Sequence, residues 1–167
     1  YPLDNRGVRR SLTVPPYLEA MLTEPRTFRP GAGTAPLATV APLVADRDYR
    51  IVCDFAWSPQ ASGVIFALGD PIAGMALYAR DGRLRFVYHG GQGRFACCDD
   101  LGAAPGEVCF ELAHRALGER RGVGTLRLNG REAAVLDLSP TTILGLGVGE
   151  GLDLGCDRRL QVAPYGL

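Results

Sequence analysis

Two dipeptides restrict the fold of this chain more than any other feature: Asp81-Gly82 and Asn129-Gly130, each set between runs that alternate apolar and polar residues. A two-residue link of this kind matches the twist of paired antiparallel strands, because both of its residues tolerate positive φ. The alternation is clearest from Tyr49 onward. Tyr49, Ile51, Cys53, Phe55 and Trp57 share one face, while Arg50, Asp54 and Ser58 share the other, with Val52 and Ala56 between them. The same period of two recurs over residues 62–69, 75–80, 83–89, 107–113, 125–128, 131–138 and 152–156. Short strands with close turns and no long helical pattern predict an all-β fold, an antiparallel β-sandwich.

The front of the chain reads differently. Seven of the 12 prolines fall within residues 1–48, a stretch with six Arg against five acids. This predicts a Pro-rich, turn-rich arm over 1–48, with at most one short helix near residues 16–22, and a sandwich domain over 49–167. The arm carries Leu3, Val8, Leu12, Tyr17, Leu18, Met21 and Phe28 among other apolar groups. These are too many for a solvated linker, so the arm is expected to lie against a partner, and self-association or local fraying is expected where that surface is bare.

Composition narrows the function classes. Hydrophobic residues at 47% and charged residues at 22% exclude a wholly disordered chain. Eighteen bases, all Arg, balance eighteen acids, which argues against nucleic acid or an anionic membrane as the main partner. No apolar run approaches the ~18 residues of a membrane-spanning helix. The chain opens on Tyr1, and Asp4, Arg6, Arg9 and Arg10 interrupt any signal-like stretch, so it reads as cut from something longer. Five cysteines, an odd count, fit reduced thiols in a cytoplasmic setting better than a disulfide framework.

Candidate chemistry is sparse. His89 and His114 stand at strand ends and read as solvated. No C-x-x-C accompanies the vicinal Cys97-Cys98, so a zinc site lacks its ligand spacing. Gly145, Gly147, Gly149 and Gly151 have the density of a dinucleotide fingerprint, but a strand follows them where a helix is required, so a strand-to-strand connection is expected. Asp70, Asp99, Asp100, Asp153 and Asp157 near turns could supply oxygens to Ca²⁺, which needs six to eight of them. A sugar platform would need exposed aromatics, whereas Trp57 and most strand aromatics fall on core-facing positions. No catalytic, cofactor-binding or metal-binding residue is assigned.

Several segments, read in order, resemble the end of one group of large bacterial arylsulfatases. Tyr1-Pro2-Leu3-Asp4-Asn5-Arg6 is similar to the close of their catalytic domain, followed by Pro30-Gly31 and a lead into Tyr49-Arg50-Ile51. Then come Gly63-Val64-Ile65 with Gly69, Gly74 to Leu77-Tyr78, Asp81-Gly82-Arg83-Leu84, Val87-Tyr88, and Gly151-Leu152-Asp153-Leu154-Gly155 before Asp157. The chain departs from the pattern at His89-Gly90, where the family tends to place Asn, and at Cys156, where it tends to place a base. The resemblance implies a concanavalin-like jelly roll, the C-terminal region of a sulfatase whose catalytic domain is absent from this chain.

It further implies a parent using formylglycine and a divalent cation such as calcium, with that catalytic domain as this region's partner. None of the five cysteines has Pro two places on, so the formylglycine sequence C/S-x-P-x-R does not occur, and the sulfate-gripping lysines are missing too. The expectation is a non-catalytic, structural module that covers the catalytic domain, shapes the substrate entrance or joins subunits, and needs no cofactor of its own. A free-standing, lectin-like carbohydrate-binding module is the alternative.

Overall fold

The computed structural model describes residues 24–44, 47–91, 95–141 and 150–165. The helix expected near 16–22, the Tyr1–Arg6 motif and glycines 145, 147 and 149 lie outside them.

Among the described residues there is one helix, α1 (Leu37–Val44), followed by nine strands. These are β1 (Tyr49–Trp57), β2 (Gly63–Gly69), β3 (Gly74–Arg80), β4 (Arg83–His89), β5 (Phe95–Cys98), β6 (Gly106–Gly118), β7 (Arg121–Leu128), β8 (Arg131–Asp137) and β9 (Leu152–Leu154). They form two antiparallel sheets, one of order β1-β6-β7-β8 and one of order β5-β4-β3-β2-β9. The chain is an antiparallel β-sandwich.

Period-two side chains explain the core. Leu77, Leu84, Phe86, Phe110, Leu112 and Leu126 alternate inward from both sheets and lose contact with water. Each such side chain contributes about 1.5–3 kcal/mol on burial. Phe110 meets Phe66 and Phe86 across the gap, at ring separations of 6.3 and 5.9 Å. Trp57, as expected, is buried, and its indole N–H donates to the Ala103 carbonyl at 3.2 Å.

The two hairpin links behave as their chemistry requires. Asp81 and Gly82 take φ of 53° and 69°, and Asn129 and Gly130 take 49° and 79°. A third tight turn was not anticipated. Glu119 and Arg120 join β6 to β7 with φ of 53° and 60°, although neither is a residue that favours this region. Both strands therefore run longer than the alternation over 107–113 and 125–128 suggested.

Two further elements differ from expectation. Helix α1 forms inside the Pro-rich stretch: Pro36 offers its carbonyl to the Thr39 and Val40 amides, and Val40 reaches the core. The Ala35 amide and carbonyl pair with Leu152 at 2.9 Å, so this lead-in is stitched to β9. Phe28, Leu37 and Val44 also pack against the core, so the sandwich itself covers part of the arm's apolar surface. Strand β5 is new as well, a short run at the sheet edge that its Phe-Ala-Cys-Cys sequence did not mark.

A second apolar cluster lies on the outer face of the five-stranded sheet. Ala67, Ala76 and Val87 point there, opposite in alternation to Phe66, Leu77 and Phe86. Val162, Ala163 and Tyr165 from the chain's last described segment cover them. Tyr165 meets Tyr78 edge-on at 5.0 Å.

Candidate functional site

Both histidines, expected in solvent, are buried. This corrects the sequence reading, and the cause is what packs on them. His114 ends the inward row of β6, where Tyr49 of β1 stacks on it at 4.5 Å. Its Nδ1 lies 2.9 Å from the Arg47 carbonyl, which can only accept, so Nδ1 carries the hydrogen. Gly122 of β7 makes room for the ring, since a Cβ there would come 2.2 Å from His114 Nε2 and 2.7 Å from Thr141 Cγ2.

Tyr88 lies on the inner face of β4 near the same end and donates its hydroxyl to the Pro140 carbonyl at 3.1 Å. Burial pushes the Tyr88 phenol up to about 12 and raises that of Tyr49 further, with Tyr88 adding to the effect. Both stay protonated under ordinary conditions. His89 faces the other way, stacked at 4.1 Å on Phe95, an aromatic that is 60% exposed. Its Nδ1 is buried without a hydrogen-bond partner. Burial lowers its pKa, and nearby Asp70 opposes that only in part.

Four of the five acidic residues considered for calcium are used to hold turns and neighbouring segments. Asp70 is fully buried, and its Oδ1 accepts from the Ile72 and Ala73 amides between β2 and β3. Asp100 accepts from the Gly102 amide and stands 3.7 Å from Arg83. Asp153, on the outer face of β9, accepts from the Thr34 hydroxyl at 2.6 Å and the Arg158 amide at 3.0 Å. Asp157 accepts from the Val162 amide and from the Tyr165 hydroxyl at 2.7 Å. Among the described residues no three His, Cys, Asp or Glu side chains gather as a metal site.

Three of the five thiols, Cys53, Cys98 and Cys109, are poor nucleophiles. Burial pushes Cys53 up to about 12. Cys109 is raised by its hydrogen bond to Asp54, and Cys98 by burial. A thiol kept protonated neither attacks nor ligates.

Beside β9, Phe28, Arg29, Ala35, Pro36, Leu152 and Leu154 help to line an open groove of about 510 Å³. Its lining mixes these apolar side chains with Thr27, Thr34 and the Arg29 guanidinium, and holds no acid–base pair. Sequence reasoning missed this groove, the Thr34–Asp153–Arg158 clamp and the burial of the histidines. Gly122 was the available signal for His114, a glycine within a strand marking a close approach.

Taken together, these polar side chains bind backbone amides, carbonyls or one another, some within a turn and others, such as Thr34 with Asp153 and His114 with Arg47, across segments distant in sequence. That chemistry holds a sandwich together. No family model matches this chain, and neither a curated protein nor a solved structure matches it.

Proposed function

We propose that this chain is a non-catalytic β-sandwich of the concanavalin-like, jelly-roll kind, appended to a sulfatase-type catalytic domain. Its work there is structural: packing against that domain and shaping the approach to it. The ordered run of segments from Tyr1-Pro2-Leu3 to Gly151-Leu152-Asp153 supports this reading. One structural observation carries it further. The polypeptide leading into β1 is fixed to the sandwich by Thr34, Ala35 and Val40, so residues 34–40 follow a defined path beside β9, which supports a lead-in that packs as part of the domain.

The reading frame upstream of the Tyr1 codon tests this. It is expected to encode C/S-x-P-x-R within a sulfatase-like domain. An in-frame stop directly before Tyr1, or an unrelated upstream domain, overturns the reading.

The carbohydrate-module alternative has one observation in its favour, the exposed Phe95 ring backed by His89. Its mark is glycan-array binding that disappears in Phe95→Ala.

A further inference from the structure

Sheet edges are where β proteins meet other chains, and proteins normally blunt them. Among the described residues, three of the four sheet edges are blunted. Strand β5 has four residues, β9 has three and is bridged by Ala35, and β8 is bulged at Ala133, with Pro140 close behind. Strand β1 is different. It has nine residues, pairs with β6 in unbroken register, and contains no Pro, Gly or Lys. Among the described residues no strand pairs with its second edge, and Val52 at its middle is 47% exposed.

The backbone of that edge can be oriented. The Cys109 carbonyl accepts from the Asn129 amide and the Cys109 amide donates to Asn129 Oδ1, so Cys109 turns its backbone away from β1. Its β1 partner, Asp54, is therefore in a non-hydrogen-bonded pair, and its N–H and C=O face the free edge. By the period of two, so do those of Arg50, Val52 and Ala56.

From this edge we infer that β1 pairs antiparallel with β1 of a second copy, about a two-fold axis at Val52. That register sets Val52 against its own copy and Arg50 against Asp54 of the other chain, twice over. Each of these pairs exchanges both main-chain hydrogen bonds. On the inner face Tyr49 meets Phe55 and Ile51 meets Cys53, all half-buried apolar groups at a core margin. The neighbouring registers are worse. An axis at Cys53 leaves Arg50 opposite Ala56, one at Asp54 opposes two carboxylates, and one at Ile51 opposes Asp48 to Asp54. Opposite charges facing across strands stabilise, while like charges destabilise. The product is one continuous sheet with four strands from each copy, an isologous interface. It does not depend on the sulfatase reading.

Sedimentation velocity of the full chain over a range of concentrations is the test, with circular dichroism as the check on fold. Wild type is expected to approach twice the 17.8 kDa chain mass as concentration rises. Arg50→Asp makes the strand's two charged positions acidic and Asp54→Arg makes them basic. Each variant alone is expected at the single-chain mass. Mixed, they are expected to form a heterodimer, because an acidic strand then faces a basic one. A wild type that stays at the single-chain mass, or variants that dimerise as wild type does, overturns the inference. Should either variant fail to fold, hydrogen exchange on wild type decides. The Arg50, Val52 and Asp54 amides are expected to gain protection with concentration, and unchanged exchange there overturns the pairing.

Discussion

Gly82 and Gly130 hold their turns through backbone freedom rather than through space. A Cβ at Gly130 meets nothing within 4 Å, and one at Gly82 meets only the Pro59 carbonyl at 3.5 Å and its Cβ at 4.0 Å. The cost of substitution is therefore strain at positive φ. Gly82→Val and Gly130→Val are each expected to destabilise by about 1 kcal/mol or more, read as a lower melting temperature. Unchanged melting in both would contradict the hairpin assignment. Charge at single residues sets the response to pH. The lowered pKa of His89 means the unfolded chain binds its proton first, so stability falls as pH drops below about 6.5. Glu111, held below the usual carboxylate range by Arg50 and then Arg127, adds a second loss below about 4.5. Denaturation midpoints across pH check the order, and His89→Phe is expected to flatten the upper step while leaving the lower one. An upper step unchanged in His89→Phe would show that another group causes it.

At the scale of elements, the turn between β6 and β7 offers a stabilising change. Glu119 sits at φ of 53°, where Asn is far better tolerated, and its ion pair with Arg121 is long and exposed. Glu119→Asn is expected to raise stability by about 0.5–1 kcal/mol, measured by denaturant unfolding. A loss of stability would contradict the turn geometry. This same turn shows what the sequence hides. Where strand alternation met Asp-Gly or Asn-Gly, both the strands and their pairing were legible, and β1 and β4 start and end as the pattern indicates. Glu119-Arg120 carries no turn chemistry, so the full length of β6 and β7 was invisible. Helix α1 was hidden for the opposite reason. Its sequence holds Pro42, a helix breaker by local rules, and tertiary packing of Val40 overrides that preference. Val40→Ala is expected to cost about 1.5–2.5 kcal/mol in the same measurement, and a neutral outcome would place α1 off the core. The candidate site was less legible than the fold. His89 and His114 lie at strand ends as read, but their burial depends on Phe95, in a strand the alternation did not mark, and on Tyr49, which is distant in sequence from His114.

Across the whole molecule, segments far apart in the chain converge on one purpose. Thr34 and Arg158 meet on Asp153, Arg47 meets His114, and Tyr165 closes over the outer sheet with Asp157. The buried carboxylates bind amides and hydroxyls, the thiols of Cys53, Cys98 and Cys109 are kept protonated by burial or hydrogen bonding, and the phenols of Tyr49 and Tyr88 are held neutral. On the reading proposed above, this chain has a structural task beside a sulfatase-type domain and no sulfate chemistry of its own. Incubating the purified 167-residue chain with an aryl sulfate and calcium or magnesium tests that most directly. The account predicts no turnover above a heat-killed control. Turnover that survives repurification would contradict it.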